Sequence, residues 1–200
     1  MSYLRYDERE IIRKLDQLDP TAKVSFAAAC AQRQMPNYLA FSEKTGQGEP
    51  HTLITILECA WWDALGRKKM SDDEVRVNLD RCMALIPKED EVPWVDEQPY
   101  AEDAASAVVY VLRARNTGES QDAAYAARVA YEALDHHVIN RLGVDDEDRA
   151  FMHPVVQAEL TRQQRDLDDL RGCDGRIAEV IARLQDRAKA EATTFFGPVS

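Results

Sequence analysis

The sequence predicts an all-α protein, a single domain over residues 1–200 built as a bundle of eight to nine mostly antiparallel helices. Three observations lead to that expectation. Apolar residues recur at a helical period in almost every segment, and no segment shows the strict alternation of a half-buried strand. Start and stop signals, an Asp or Ser before the pattern and a Gly or Pro after it, leave only short connections, which favour antiparallel neighbours. A chain of 200 residues, 45% hydrophobic and 30% charged, has an ordinary globular composition. That length can bury roughly 70% of the unfolded surface.

The first helix, over residues 6–18, puts Ile11, Leu15 and Leu18 on one face. Asp19-Pro20 opens the second, with Asp19 as N-cap and Pro20 at the first helical position. Its run of small residues, Ala27 through Ala31 with Cys30, lets neighbouring helices come close. Pro36 is expected to break it, with a short helix over 37–44 following at a new angle. Residues 50–65 form the most apolar stretch and are expected at the bundle centre. Ser71-x-x-Glu74 is a capping box for a helix with its stripe at Val75, Leu79, Cys82 or Met83, and Ile86.

After an acidic loop over 87–99, Pro99 starts a helix with Glu102 and Asp103 early and Arg113 and Arg115 late, an order that complements the macrodipole. The next, over 120–142, carries Ala127, Tyr131, Leu134, Val138 and Leu142, and Gly143 ends it. Asp145 through Asp148 reads as an acidic linker to a helix from Pro154. Gly172 and Gly175 interrupt the pattern before a last helix with Ile177, Val180, Ile181, Leu184 and Ala188.

Charge narrows the function. Asp plus Glu number 36 and Lys plus Arg 25, a net charge of −11. Such a surface repels phosphate and attracts basic proteins, so nucleic acid is not an expected partner. The triplet Arg67-Lys68-Lys69 is too short to change that. No apolar stretch approaches a membrane span, and the N-terminus lacks the apolar core of a signal peptide. Cys30, Cys59, Cys82 and Cys173 are far apart, without a C-x-x-C pair, so reduced thiols in a cytoplasmic protein are expected.

The usual catalytic signatures do not occur: no G-x-S-x-G, no H-E-x-x-H, no phosphate loop. No Glu-x-x-His precedes His51, His136, His137 or His153, as a di-iron bundle would need. No metal or other cofactor is expected. Two polar clusters remain. His51, Thr55, Glu58 and Trp62 share one helix face, and a covered Glu58 beside His51 could shuttle a proton. The plainer reading of that face is the solvated side of an amphipathic helix. Asp135-His136-His137 follows Glu132, but adjacent helical histidines point about 100° apart and seldom share a metal. Their structural roles are an edge-of-core His137 and an outward His136 paired with Glu132.

Several acidic runs stand out: 72–74, 88–91, Asp96-Glu97, and Asp145 through Asp148. Singly each reads as a solvated face, but together they make a field that speeds encounter with a basic protein. Trp94 beside them is a candidate anchor, or a clamp for its own loop.

A further pattern is carried by Leu18-Asp19-Pro20, Val24-Ser25-Phe26-Ala27-Ala28, Met35-Pro36-Asn37-Tyr38 and Phe41. It continues in Thr45-Gly46-Gln47-Gly48, in Ile56-Leu57-Glu58 with Trp61, and in His153-Pro154-Val155-Val156-Gln157 with Glu159. These segments resemble the YjaG-like bacterial family, domain of unknown function 416. The resemblance implies an all-helical fold of about this length and carries over no catalytic residue. Asn37, Tyr38 and His153 then read as turn-shaping and helix-starting residues, with a ligand site as the other reading.

The expectation is therefore a non-enzymatic acidic module that binds a basic protein, for example an immunity-type inhibitor of a cationic toxin. Its contact residues are Trp94, Asp96, Glu97, Asp145, Asp146, Glu147 and Asp148. The alternative is an enzyme or small-ligand binder with a pocket at His51, Thr55, Glu58 and Trp62. Homodimerisation through an alanine-rich helix face stays open.

Overall fold

The computed structural model describes residues 3–88, 94–144, 146–173 and 175–196. Among them are nine helices and no strand, so the fold is all-α. They are α1 (Glu8–Leu15), α2 (Pro20–Thr45), α3 (Pro50–Ala64), α4 (Asp72–Ala84), α5 (Gln98–Thr117), α6 (Ser120–Asn140), α7 (Glu147–Phe151), α8 (Pro154–Arg171) and α9 (Ile177–Glu191).

The capping chemistry works as its residues dictate. Asp19 accepts a hydrogen bond from the Ala22 amide at 3.0 Å, and Pro20 follows at the start of α2. Ser71 and Glu74 close a reciprocal capping box on α4. Gly46 and Gly118 end α2 and α5 in the left-handed conformation.

Two differences from the sequence expectation cancel in the helix count. Pro36 does not break α2, which runs on through it to Thr45. Proline withdraws one N–H and leaves the Gln32 carbonyl without its helical donor, a cost of about 3 kcal/mol. Continuity in return buries Met35, Tyr38 and Phe41, each worth roughly 1.5–3 kcal/mol. Tertiary burial wins. Conversely, the acidic linker contains a short helix, α7, because Asp146 caps it by accepting from the amides of Asp148 and Arg149.

The bundle centre is also displaced. The expected central helix, α3, buries Leu53, Ile56, Leu57, Ala60 and Trp61 on one face only. The helix that is surrounded is α2, which packs against α3, α5, α6, α8 and α9. Being surrounded requires small side chains on every side, and Ala27, Ala28, Ala29 and Ala31 are fully enclosed. They meet equally enclosed alanines of α5 (Ala101, Ala104, Ala105) and α6 (Ala123, Ala126, Ala130) in one core. A smaller apolar cluster, Leu134, Val138, Ala150, Val156 and Leu160, joins α6, α7 and α8. Leu142, counted in the α6 stripe from sequence, lies past the helix end and is exposed.

This close packing makes a direct prediction. Ala28→Leu forces extra volume between helices and should cost about 1–3 kcal/mol of unfolding free energy in urea. Val77→Ala, at a side chain that is 60% exposed on α4, should stay within about 0.5 kcal/mol. Equal effects from both would contradict the packing described.

Candidate functional site

Arg33 lies in the middle of α2 and is 3% exposed. Its Nε and Nη2 donate to the two oxygens of Glu159 at 3.0 and 2.9 Å, a bidentate pair. Its Nη1 donates to Asp166 at 2.9 Å. Burial alone would favour the neutral guanidine, but Glu159, Cys30 and Asp166 outweigh it and hold Arg33 protonated. Asp166 also accepts from Arg187 at 2.8 Å, so the network ties α2 to α8 and α9. Burial pushes the adjacent Cys30 thiol far up, which makes it inert.

Beside this network is a cavity of about 260 Å³ between α2, α6, α8 and the chain after α9. Gln34, His137, Arg162 and Phe195 line it. The tail over 192–196 forms part of the wall because the Phe195 amide donates to Asn37 Oδ1 at 3.0 Å. The Phe195 ring packs on His137 at 4.9 Å and on Tyr100 at 5.3 Å. Burial, followed by Arg141, His153 and His136, lowers the pKa of His137, so the ring is neutral near pH 7.

The residues singled out from sequence are placed in three regions. His51 and Thr55 are exposed, Trp62 is 39% exposed, and the Glu58 side chain is 39% exposed. Thr55 Oγ1 donates to the His51 carbonyl at 2.7 Å, and Lys189 Nζ donates to Glu58 at 3.2 Å. This face is open to solvent, so Glu58 lacks the cover that acid–base work there would need.

One ion pair ties the segment before α5 to the end of α6. Arg141, just past α6, pairs with Asp96, in the segment that also carries Trp94 and Glu97. Trp94 is 59% exposed. Asp146 and Asp148 are exposed, and Asp148 faces Arg5 at 3.7 Å. Asp145, the Glu147 side chain and the acidic run at 89–91 lie outside the described residues.

The histidine pair behaves differently from expectation in one respect. Glu132 takes Arg128 as its partner at 2.7 Å, while exposed His136 contacts the edge of the Tyr100 ring. His137 sits at the core edge, but its Nδ1 is buried with no hydrogen bond among the described residues. Among those residues no cluster of three or more metal-ligating side chains occurs. No helix among them is long and apolar enough to cross a membrane.

The residues that carried the resemblance have structural work. Asn37 and Tyr38 do not shape a turn, because both lie inside the unbroken α2; Asn37 is fully buried between Gln34 and Phe195. Tyr38 donates to the Leu85 carbonyl at 2.7 Å and anchors the end of α4. Gly48 has φ +78°, and a Cβ there would meet the Tyr38 hydroxyl at 2.7 Å. His153 Nδ1 accepts from the Val155 amide and caps α8. Gln157 clamps Leu4 through both its amide and its carbonyl at 2.9 Å, fixing the N-terminal segment.

A family described as "Protein of unknown function (DUF416)" matches residues 10–197. The chain belongs to the DUF416 family. The uncharacterized protein YjaG of Escherichia coli K12 is 24% identical over 178 residues, covering 86% of this chain and 87% of YjaG. An uncharacterized protein of Haemophilus influenzae is 23% identical over 194 residues, covering 94% of this chain and 95% of its own length. A crystal structure of a DUF416 protein from Shewanella baltica superposes with a TM-score of 0.80 at 24% identity, over 92% of this chain and 95% of that one. The DUF416 fold is thus retained at low identity.

Sequence reasoning missed the buried network, although α8 carried its signal. Glu159, Gln163 and Asp166 fall on the same stripe as Val156, Leu160, Leu167 and Leu170, where a solvated polar face would not reach. Arg33, between Gln32 and Gln34, likewise follows directly on the alanine-rich stretch of α2.

Two outcomes test these electrostatics. Arg33→Met strands Glu159 without its bidentate partner and should cost about 3–5 kcal/mol in urea unfolding. A loss under about 1 kcal/mol would show that the carboxylates relax to other partners. Asp103 on α5 is pushed up to about 7 by burial, then by Glu132 and Glu102. The folded state therefore binds the extra proton, so this group's contribution is fully present near pH 4 and lost as pH rises through about 7. Asp103→Asn should flatten that part of the stability profile, and an unchanged slope between pH 4 and 7 would refute the assignment.

Proposed function

We propose that this DUF416 protein is a non-enzymatic binding module whose acidic end captures a basic protein. The observation that carries the reading is Trp94, a large aromatic left 59% exposed beside Asp96 and Glu97. Exposed aromatics flanked by charge are the usual anchors of protein interfaces. The Asp96–Arg141 pair supports the reading, since it ties that segment to the end of α6, shortly before Asp146 and Asp148 in the chain. The net charge of −11 adds long-range attraction for a cationic partner. An inhibitor of a cationic toxin is one concrete form of such a module.

The test is affinity capture from native lysate at low salt, repeated at high salt, with the eluates identified by mass spectrometry. A basic protein should be retained in stoichiometric amount and leave as salt rises. Trp94→Ala should weaken that complex at least tenfold, about the 1.4 kcal/mol or more expected of an interface anchor. Joint replacement of Asp96, Glu97, Asp146 and Asp148 by Lys should abolish it. Retention of the same partner by the fourfold variant would remove the acidic end from consideration.

A further inference from the structure

The cavity beside Arg33 shows an imbalance of hydrogen-bonding groups that fixes the chemistry of what it can hold. The Phe195 N–H requires Asn37 to present Oδ1, so Asn37 turns Nδ2 toward Gln34. Gln34 must then accept through Oε1, at 3.2 Å. Its Nε2, with two N–H groups, is left without a partner among the described residues, although the residue is 98% buried by its 2% exposure and lines the cavity.

Two further groups are left over. Arg162 approaches Glu159 and Glu191 only at 3.8 and 3.6 Å, ion-pair distances too long for hydrogen bonds. His137 Nδ1 is buried and unpartnered among the described residues. The two carboxylates in the cavity wall, Glu159 and Glu191, are already engaged, and the unpartnered acceptor Gln163 Oε1 does not line the cavity. Glu159 is gripped by both arms of Arg33, and Glu191 is held by Arg165 at 2.9 Å. The established spare donors are Gln34 Nε2 and the cationic Arg162, and the opposite walls are Leu134, Val155 and Phe195. The volume of about 260 Å³ is roughly that of eight or nine waters.

We propose that this cavity is a binding site for a small monocarboxylate with an apolar body. Gln34 Nε2 and Arg162 take the carboxylate oxygens, and the body packs against Leu134, Val155 and Phe195. A carboxylate suits this place because it offers only acceptors and can engage a planar guanidinium with two oxygens. The site is separate from the acidic end, since Trp94 and Asp96 do not line it.

The experiment titrates benzoate, hexanoate and the uncharged isostere benzamide into the full chain, followed by calorimetry and by NMR shifts of the His137 ring. The carboxylates should bind and shift His137, with benzamide at least tenfold weaker. Arg162→Gln should weaken carboxylate binding at least tenfold; its side chain is 30% exposed, so the variant is expected to fold, and circular dichroism checks this. Gln34→Leu should give a similar loss in a protein that still melts cooperatively. The proposal is overturned if neither carboxylate binds, if benzamide binds as tightly, or if folded Arg162→Gln keeps the affinity.

Discussion

A guanidinium buried in the helix that five others pack against has to be neutralised where it stands, and most of the architecture follows from how Arg33 meets that demand. Removing such a charge from water costs several kcal/mol after relaxation. The cost is met by geometry: a bidentate carboxylate from Glu159 and a second carboxylate from Asp166. Both acceptors lie on α8, so the register of α8 against α2 has little freedom. Apolar stripes alone would tolerate a slide by a turn. Asp166 then accepts from Arg187 as well, which sets α9 against the same point. Charge here contributes positional definition more than net stability.

The alanine-rich contacts of α2, α5 and α6 have the complementary character. Small side chains bring helix backbones near one another and leave few rotamers to rearrange. The part of the molecule built this way is stiff, and its polar variety collects at the margin where α6, α8 and the tail converge. That margin holds His137, Tyr100 and Phe195 in edge contacts and contains the unpartnered Gln34 amide. A rigid base with a polar, irregular rim is a common setting for recognition.

Local chemistry was the most legible part of the sequence. Asp19-Pro20, Ser71-x-x-Glu74 and His153-Pro154 start helices because each supplies what an N-terminus lacks. Pro36 misled because its cost is local while the burial that overrides it is contributed by other helices. The apolar α3 misled because hydropathy reports how much a helix buries and is silent on how many neighbours it has. The site was less legible still. Trp94 and the acidic segments can be named from composition, but not the Asp96–Arg141 pair that ties one of those segments to the end of α6. Gln34, His137, Arg162 and Phe195 come from four separate segments, and no spacing rule relates them.

The Arg33–Glu159 pair joins residues 126 positions apart. At a synthesis rate of roughly 5–20 residues per second, Arg33 reaches solution about 6–25 s before its carboxylate partner exists. For that interval α2 lacks its charge partners, and until α5 and α6 follow it also lacks most of its packing. A hydrated guanidinium, flanked by Gln32 and Gln34, keeps the nascent segment from presenting an unbroken apolar surface. The residue that is costly to bury at the end of folding thus keeps the growing chain in water at its beginning.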